Sequence, residues 1–177
     1  MLETLITSKT RINLLLKFFL NSKNTAWLRS LESEFPETSN AIRLELLRLE
    51  RAELLKSRFV GNKKVYSANI KHPLFPEINS LLVKHFGLDE VIERVTEKMG
   101  DISEVYLVGK LAKGQESKMV DFWFVGHDID KEYLLKVVEK AEVKIKRKIR
   151  YIILSKNEFK DFSKNIEEKE LLLLWKS

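Results

Sequence analysis

The alternation of apolar and polar residues predicts three helices and a β-hairpin in the first seventy residues. Helices are expected over 8–20 with Ser8 as N-cap, over 25–34 with Thr25 as N-cap, and over 38–53 with Ile42, Leu46 and Leu49 as the inward stripe. Two short apolar segments around Gly61-Asn62 predict the hairpin, over residues 54–68. This order of elements is that of a winged helix-turn-helix, in which two helices and a hairpin can contact DNA.

The second half of the chain has the pattern of a sheet covered by helices. A connector with two prolines (69–76) leads into two helices, over 77–86 and 88–98, and the boundary is expected at Met99-Gly100-Asp101. The pattern beyond it predicts strands over 105–108, 120–125 and 149–154, a loop over 109–118, helices over 129–143 and 158–162, and an apolar segment over 171–175. The fold class predicted is therefore α+β or α/β with two domains, the second having a small mixed sheet with flanking helices.

The amino-acid composition excludes several kinds of functional site. The 177 residues include no Cys and only three widely separated His, so disulfides, thiolate catalysis and Cys-ligated metals are excluded and no metal site is expected. The chain lacks the long apolar run of a membrane span and the features of a signal peptide. We therefore expect a cytoplasmic protein with no membrane partner.

The positive charge is distributed unevenly along the chain. The net charge is +6, and residues 1–70 alone hold 12 Lys and Arg against 7 Asp and Glu. Such an excess is typical of phosphate binding, although a solvated surface that keeps the protein soluble gives the same count.

Duplex DNA is the partner that the first region predicts. The third helix carries Ser39, Asn40 and Arg43 opposite its buried stripe, where Asn and Arg can read base edges and Ser can hold a phosphate. The hairpin adds four cations that would contact the DNA backbone: Lys56, Arg58, Lys63 and Lys64. Leu44 and Leu47 on the same face, with Glu45 and Glu50, favour instead a protein contact.

Three segments resemble winged-helix transcription regulators of the ArsR-like type. Residues 46–55 read LLRLERAELL, similar to their L-x-x-L-E-x-A-G-L-L recognition-helix end, with Glu53 in place of Gly. Residues 61–66 read GNKKVY, similar to their G-N-x-x-x-Y wing. Residues 69–77 read NIKHPLFPE, which resembles the N-x-x-H-P-L-F-P-E connector of a bacterial subset. In that subset a winged helix is fused to a nucleotidyltransferase-like domain.

The second half resembles small MNT-type nucleotidyltransferases. Residues 107–114 read LVGKLAKG and residues 119–126 read MVDFWFVG, similar to L-F-G-S-x-A-x-G and D-x-D-L-x-x-V-G. The resemblance implies a nucleotide-site remnant at Gly109, Lys110, Gly114 and Asp121.

This remnant departs from the family at the residues that do chemistry. Lys110 replaces the phosphate-binding Ser, and Asp121 is the one carboxylate left of the Mg²⁺-holding pair, with no Asp or Glu in 149–152. We expect no catalytic residue, no cofactor, and Asp121 paired with Lys110 or Lys113. The loop lysines could still form an anion pocket, or they are solvated edges.

The sequence thus predicts three regions: a winged helix-turn-helix DNA-binding domain (1–70), a helical connector that could dimerise the chain (71–100) and a degenerate nucleotidyltransferase-like domain (101–177). The expected function is a homodimeric regulator of transcription that binds double-stranded DNA. Its second domain, a pseudoenzyme, would sense a small anionic ligand, assemble the oligomer or bind a protein partner. The alternative is a protein-interaction module of toxin–antitoxin type, with the winged helix as the protein contact.

Overall fold

The computed structural model describes residues 2–98 and 101–177. The predicted boundary residues Met99 and Gly100 lie outside this described part of the chain. By their contacts the residues form two compact units, Met1–Leu82 with Gly114–Glu116, and Val83–Lys113 with Ser117–Ser177. The chain is a mixed α/β protein with two separate sheets.

The first unit contains helices and a three-stranded sheet. Its helices are α1 (Leu2–Leu5), α2 (Lys9–Leu15, continued by a π-helical segment Leu16–Leu20), α3 (Leu28–Glu34), α4 (Ser39–Arg51) and the first part of α5 (Phe75–His85). Its strands are β1 (Thr25–Ala26), β2 (Leu55–Val60) and β3 (Lys63–Ala68), in the antiparallel order β1-β3-β2. The core is formed by large apolar residues from these elements, among them Phe18, Phe19, Leu31, Ile42 and Leu46. The structure confirms the predicted helix cap Ser8, the start of the third helix at Thr38, the inward stripe of α4 and the hairpin around Gly61.

The predicted helix start at Thr25 is wrong. Thr25 and Ala26 pair with Ser67 and Tyr66 of β3, and α3 begins three residues later than expected. A β-branched Thr suits an extended strand, and the exposed backbone of β3 provides its hydrogen-bond partners. The N-cap of the shortened helix is Trp27, and the Ser30 hydroxyl, in the first turn, accepts the backbone N–H of Trp27 at 3.0 Å.

The end of α4 shows what the unusual Glu53 does. Glu53 has a φ of 57°, the left-handed conformation in which Gly is normally found. The N–H of Leu54 donates to the carbonyl of Leu49 at 3.0 Å, and the N–H of Glu53 donates to that of Glu50 at 2.9 Å. These two bonds are those of a Schellman motif, so α4 ends as it would with Gly, at the cost of a strained Glu.

The second unit is a four-stranded sheet with helices. Its strands are β4 (Asp101–Val108), β5 (Met119–His127), β6 (Lys148–Leu154) and β7 (Leu171–Lys176), in the order β6-β5-β4-β7. Its helices are α6 (Leu88–Lys98), α7 (Lys131–Ile145), α8 (Lys156–Ser163), the last part of α5 and a 3₁₀ turn at Glu168–Glu170. Strands β5 and β6 are parallel and joined through α7, whereas the other neighbours are antiparallel. The strands predicted over 105–108, 120–125 and 149–154 are confirmed, and the terminal apolar segment forms the edge strand β7.

Apolar residues fill both faces of this sheet. Phe122 and Phe124 are fully buried on one face, and the alternate residue Trp123 is buried on the other. Phe159 of α8 covers Trp123, with the ring centroids 6.2 Å apart. Gly87, between α5 and α6, has a φ of 67°, and a Cβ there would lie 2.0 Å from Ile145 of α7. A glycine is therefore required for the close approach of these segments.

Candidate functional site

The helix α4 presents polar side chains at its N-terminal end. Asn40 and Arg43 are exposed on the surface opposite the buried stripe. The Arg43 guanidinium donates to the side-chain oxygen of Asn40 over 3.0 Å between Nη2 and Oδ1. The pair thus brings together, on one turn of the helix, donors and acceptors of the kind that read base edges.

Ser39 lies in a different environment from its two neighbours. Its hydroxyl donates a hydrogen bond to the Glu32 carboxylate of α3, which leaves a negative charge beside the first turn of α4. The helix cap is Thr38, whose hydroxyl accepts the N–H of Ala41 at 3.3 Å. A phosphate approaching Ser39 would therefore meet a carboxylate, which weakens the predicted phosphate contact.

Glu45 does not lie on the exposed face of α4. It is 5% exposed, and its carboxylate accepts two hydrogen bonds from Arg11 of α2, at 2.9 and 3.2 Å, and one from Arg48 at 2.7 Å. Burial favours the neutral acid, but the bonds from the two guanidinium groups outweigh it and hold the pKa of Glu45 below its ordinary value. This carboxylate is neutralised inside the unit and cannot repel a phosphate at the surface.

Glu50 is neutralised by the hairpin. Lys64 of β3 donates to its carboxylate at 2.7 Å, and the Ser57 hydroxyl of β2 donates to the other oxygen. The bond from Lys64, followed by that from Ser57, lowers the pKa of Glu50, and the same pair raises the pKa of Lys64. Lys64 is thus held against α4, unlike the other three predicted hairpin cations.

Those three cations remain at the surface of the hairpin. Lys56, Arg58 and Lys63 are all exposed, and the Lys63 ammonium lies 4.4 Å from the centre of the Trp27 ring. Alternation along the strands places all three on the face away from Glu50 and Lys64. Sequence reasoning missed the neighbouring Phe59, which is exposed although it lies in a strand.

In the second unit, Asp121 is paired with Arg150 and not with either predicted lysine. Arg150 lies directly beside Asp121 in the parallel register of β5 and β6, and its Nε donates to the carboxylate at 2.6 Å. Lys113 instead forms an ion pair with Glu170, and Lys110 is exposed. Sequence reasoning did not identify Arg150 as the partner of Asp121, because the register of two strands is not visible in sequence.

The two glycines of the predicted nucleotide-site remnant belong to different units. Gly109 follows β4 with a φ of 73°, and a Cβ there would lie 3.4 Å from Oδ2 of Asp121, so Gly109 and Asp121 are close. Gly114 belongs to the first unit, where a Cβ would lie 2.4 Å from the Cα of Lys17. Gly114 therefore fits a close backbone approach to Lys17 within the first unit.

The surroundings of Asp121 suit an ion pair better than a metal. Within residues 2–98 and 101–177, no three His, Cys, Asp or Glu side chains lie close enough together to hold a metal ion. The guanidinium of Arg150 supplies beside Asp121 the positive charge that a cation would bring. In the same described ranges, no helix has the length and apolar character that crossing a membrane requires.

Comparison with known proteins gives weak similarities. No protein-family profile matches the sequence, and no curated protein matches it. Among solved structures, an Archaeoglobus fulgidus protein aligns with 46% of this chain and 93% of its own, at 14% identity and a TM-score of 0.38. A "putative nucleotidyltransferase" from Sulfolobus solfataricus aligns with 53% of this chain and 82% of its own, at 23% identity and a TM-score of 0.37. At TM-scores this low, neither similarity establishes the fold or the function of this chain.

Proposed function

We propose that the chain is a DNA-binding transcription regulator whose first unit is a winged helix-turn-helix. In this proposal α3 and α4 are the helix-turn-helix, and β2 with β3 is the wing. The observation that carries it is that two carboxylates of α4 are neutralised by ion pairs: Glu45 by Arg11 and Arg48, and Glu50 by Lys64. What remains exposed on α4 and the hairpin is largely cationic, which suits a polyanion.

The N-terminal part of α4 would enter the major groove. Arg43 is the residue that we assign to a guanine edge, and Asn40 the residue that we assign to an adenine edge. Lys56, Arg58 and Lys63 would contact phosphates along the wing, while Lys64 supports the wing through Glu50. The helices that follow the hairpin would dimerise the chain, since a two-fold dimer matches palindromic half-sites.

The second unit would serve regulation and not catalysis. The ion pair of Asp121 with Arg150 supports this proposal, because a carboxylate that is already bound to a guanidinium is less suited to coordinate Mg²⁺. Sensing of a small anion, oligomer assembly and partner binding are the roles that remain for this nucleotidyltransferase-like unit.

A gel-shift assay of the full chain against genomic fragments tests the proposal. We expect Arg43→Ala to need about 5- to 150-fold more protein than the wild-type chain to give the same retarded band. Lys140→Ala is the control, since Lys140 is an exposed cation on α7, outside the proposed DNA-binding surface and outside the proposed dimerisation helices. Equal retardation by wild type and Arg43→Ala would show that the assigned surface is wrong.

One observation favours a second candidate, a protein-interaction module of toxin–antitoxin type. Leu44 on α4 is 45% exposed, and Ser39 is occupied by the Glu32 carboxylate, so part of this surface suits an apolar contact. This candidate predicts a stable complex with a protein that Leu44→Glu abolishes, together with no salt-dependent affinity for DNA.

A further inference from the structure

A phenylalanine is strongly exposed near the outer end of the hairpin. Phe59 keeps 75% of its surface accessible, and the next residue, Val60, keeps 53%. Both lie just before the Gly61-Asn62 turn, paired across the hairpin with Lys64 and Lys63. An aromatic ring contributes about 150–250 Å² of surface when it is buried, so an exposed one is a strong candidate for a contact.

The position of Phe59 in β2 explains why the fold leaves it uncovered. Alternation places it on the same face of the hairpin as Leu55 and Ser57. Leu55 is buried in the core, and Ser57 bonds to Glu50 at the end of α4. Phe59 is two residues farther out, where its cross-strand neighbour Lys64 makes the contact with Glu50 and the ring itself stays exposed.

All the charged side chains of this hairpin are positive, since the sequence from Leu55 to Ala68 contains no Asp or Glu. Lys64 lies opposite Phe59 on the same face, and Lys56, Arg58 and Lys63 are exposed on the other face. An apolar ring on a hairpin with cations on both faces fits the minor groove of DNA, where a base step lies between two rows of phosphates. A membrane surface fits less well, because binding there scales with buried apolar area and the tip offers one Phe and one Val.

We infer that Phe59 is a wedge that enters the minor groove and partly unstacks one base step, so that the bound duplex is kinked. The inference rests on the proposed DNA binding and adds to it the shape of the bound DNA. The base step concerned should be pyrimidine–purine, TA or CA/TG, since these steps unstack most easily. The duplex should bend toward the major groove, as it does with other apolar side chains inserted from the minor groove.

Energy transfer between dyes at the two ends of a duplex tests this inference. The probe is a duplex of about 30 base pairs with a central TA step, against a matched duplex with a GC step. With the full wild-type chain we expect the ends of the TA duplex to approach as they would for a kink of about 20–90°. Phe59→Ala should abolish this approach and lower affinity about 10-fold, with the salt dependence unchanged because no charge is removed.

Phe162→Ala is the matched control, since Phe162 of α8 is also an exposed phenylalanine and should not affect bending. A second variant, Phe59→Trp, should keep the kink, and its added fluorescence should be quenched on binding as the indole stacks on a base. This variant also serves if Phe59→Ala does not fold.

The possible failures separate the wedge from the DNA binding. Equal bending and affinity in wild type and Phe59→Ala would overturn the wedge and leave the proposed function intact. Failure of the wild-type chain to bind any duplex would overturn both. Loss of affinity for phosphatidylserine vesicles in Phe59→Ala, with DNA bending unchanged, would assign the ring to a membrane surface and overturn the wedge.

Discussion

Two adjacent lysines of the hairpin should behave differently toward DNA. Lys63 is exposed, with its ammonium 4.4 Å from the centre of the Trp27 ring, whereas Lys64 is bound to Glu50 at 2.7 Å. We therefore predict that Lys63→Gln weakens DNA binding. The double variant Glu50→Gln/Lys64→Gln, which replaces both members of the Glu50–Lys64 ion pair, should leave DNA binding unchanged. The double variant removes no net charge, so it isolates the effect of the ion pair from the effect of charge.

The magnitudes follow from counterion release. One phosphate contact contributes about 0.9 to the slope of log affinity against log salt. Losing Lys63 should therefore reduce the slope by about 0.9, and the advantage of wild type should shrink about 3.5-fold between about 50 and 200 mM salt. The Glu50–Lys64 pair is partly exposed, at 27% and 36% of the two side chains, so its loss should cost the fold only about 0–1 kcal/mol.

Fluorescence anisotropy with a labelled duplex of arbitrary sequence measures these slopes, because phosphate contacts do not depend on sequence. Urea unfolding of each variant checks that the fold is kept. A double variant that reduces the slope as much as Lys63→Gln does would refute the assignment of Lys64 to a supporting role.

Three further predictions concern the fold and the Asp121 site. Glu45→Gln should lower the free energy of unfolding by about 1–2 kcal/mol at neutral pH, measured in urea. Because the folded-state pKa of Glu45 is lowered from 4.5, the wild-type advantage should be complete above that pH and disappear as the pH falls through the folded-state value; a constant difference down to acid pH would contradict this. Glu53→Gly should raise the free energy of unfolding by about 0.5–1 kcal/mol, because Gly relieves the left-handed strain but gains entropy when unfolded, and a destabilised variant would count against the strained cap. Arg150→Asp should create a Mn²⁺ site with Asp121 that titration followed by electron paramagnetic resonance detects and that Arg150→Ala lacks; equal binding by both variants would show that the register position does not determine metal binding.

The sequence predicts the helices and strands well where their pattern is local. Ile42, Leu46 and Leu49 fall at helical spacing, and Gly61 marks the turn of the hairpin, so both elements are visible in the sequence. Thr25 is different, because its strand exists only through pairing with β3, more than forty residues away in the chain. Local propensity carries no information about that partner strand, so the predicted helix cap at Thr25 was wrong.

The contacts of the candidate sites are less predictable for the same reason. Glu45 lies next to Leu46 in the sequence, but its carboxylate is paired with Arg11, which is 34 residues away. Asp121 was identified from its motif, whereas its partner Arg150 depends on the register between parallel strands. Charge counts thus predicted a basic surface but could not tell which charges are already paired inside the fold.

The central claim is that α4 reads DNA, and its most direct test is a specificity ratio. Affinities of the full chain are measured by anisotropy at fixed salt for a duplex selected from random sequences and for its scrambled counterpart. We predict a ratio of at least about 10³ for wild type, and a loss of about 5- to 150-fold in that ratio for Arg43→Ala. A wild-type chain that binds the two duplexes equally, or a ratio that Arg43→Ala leaves unchanged, would contradict the account.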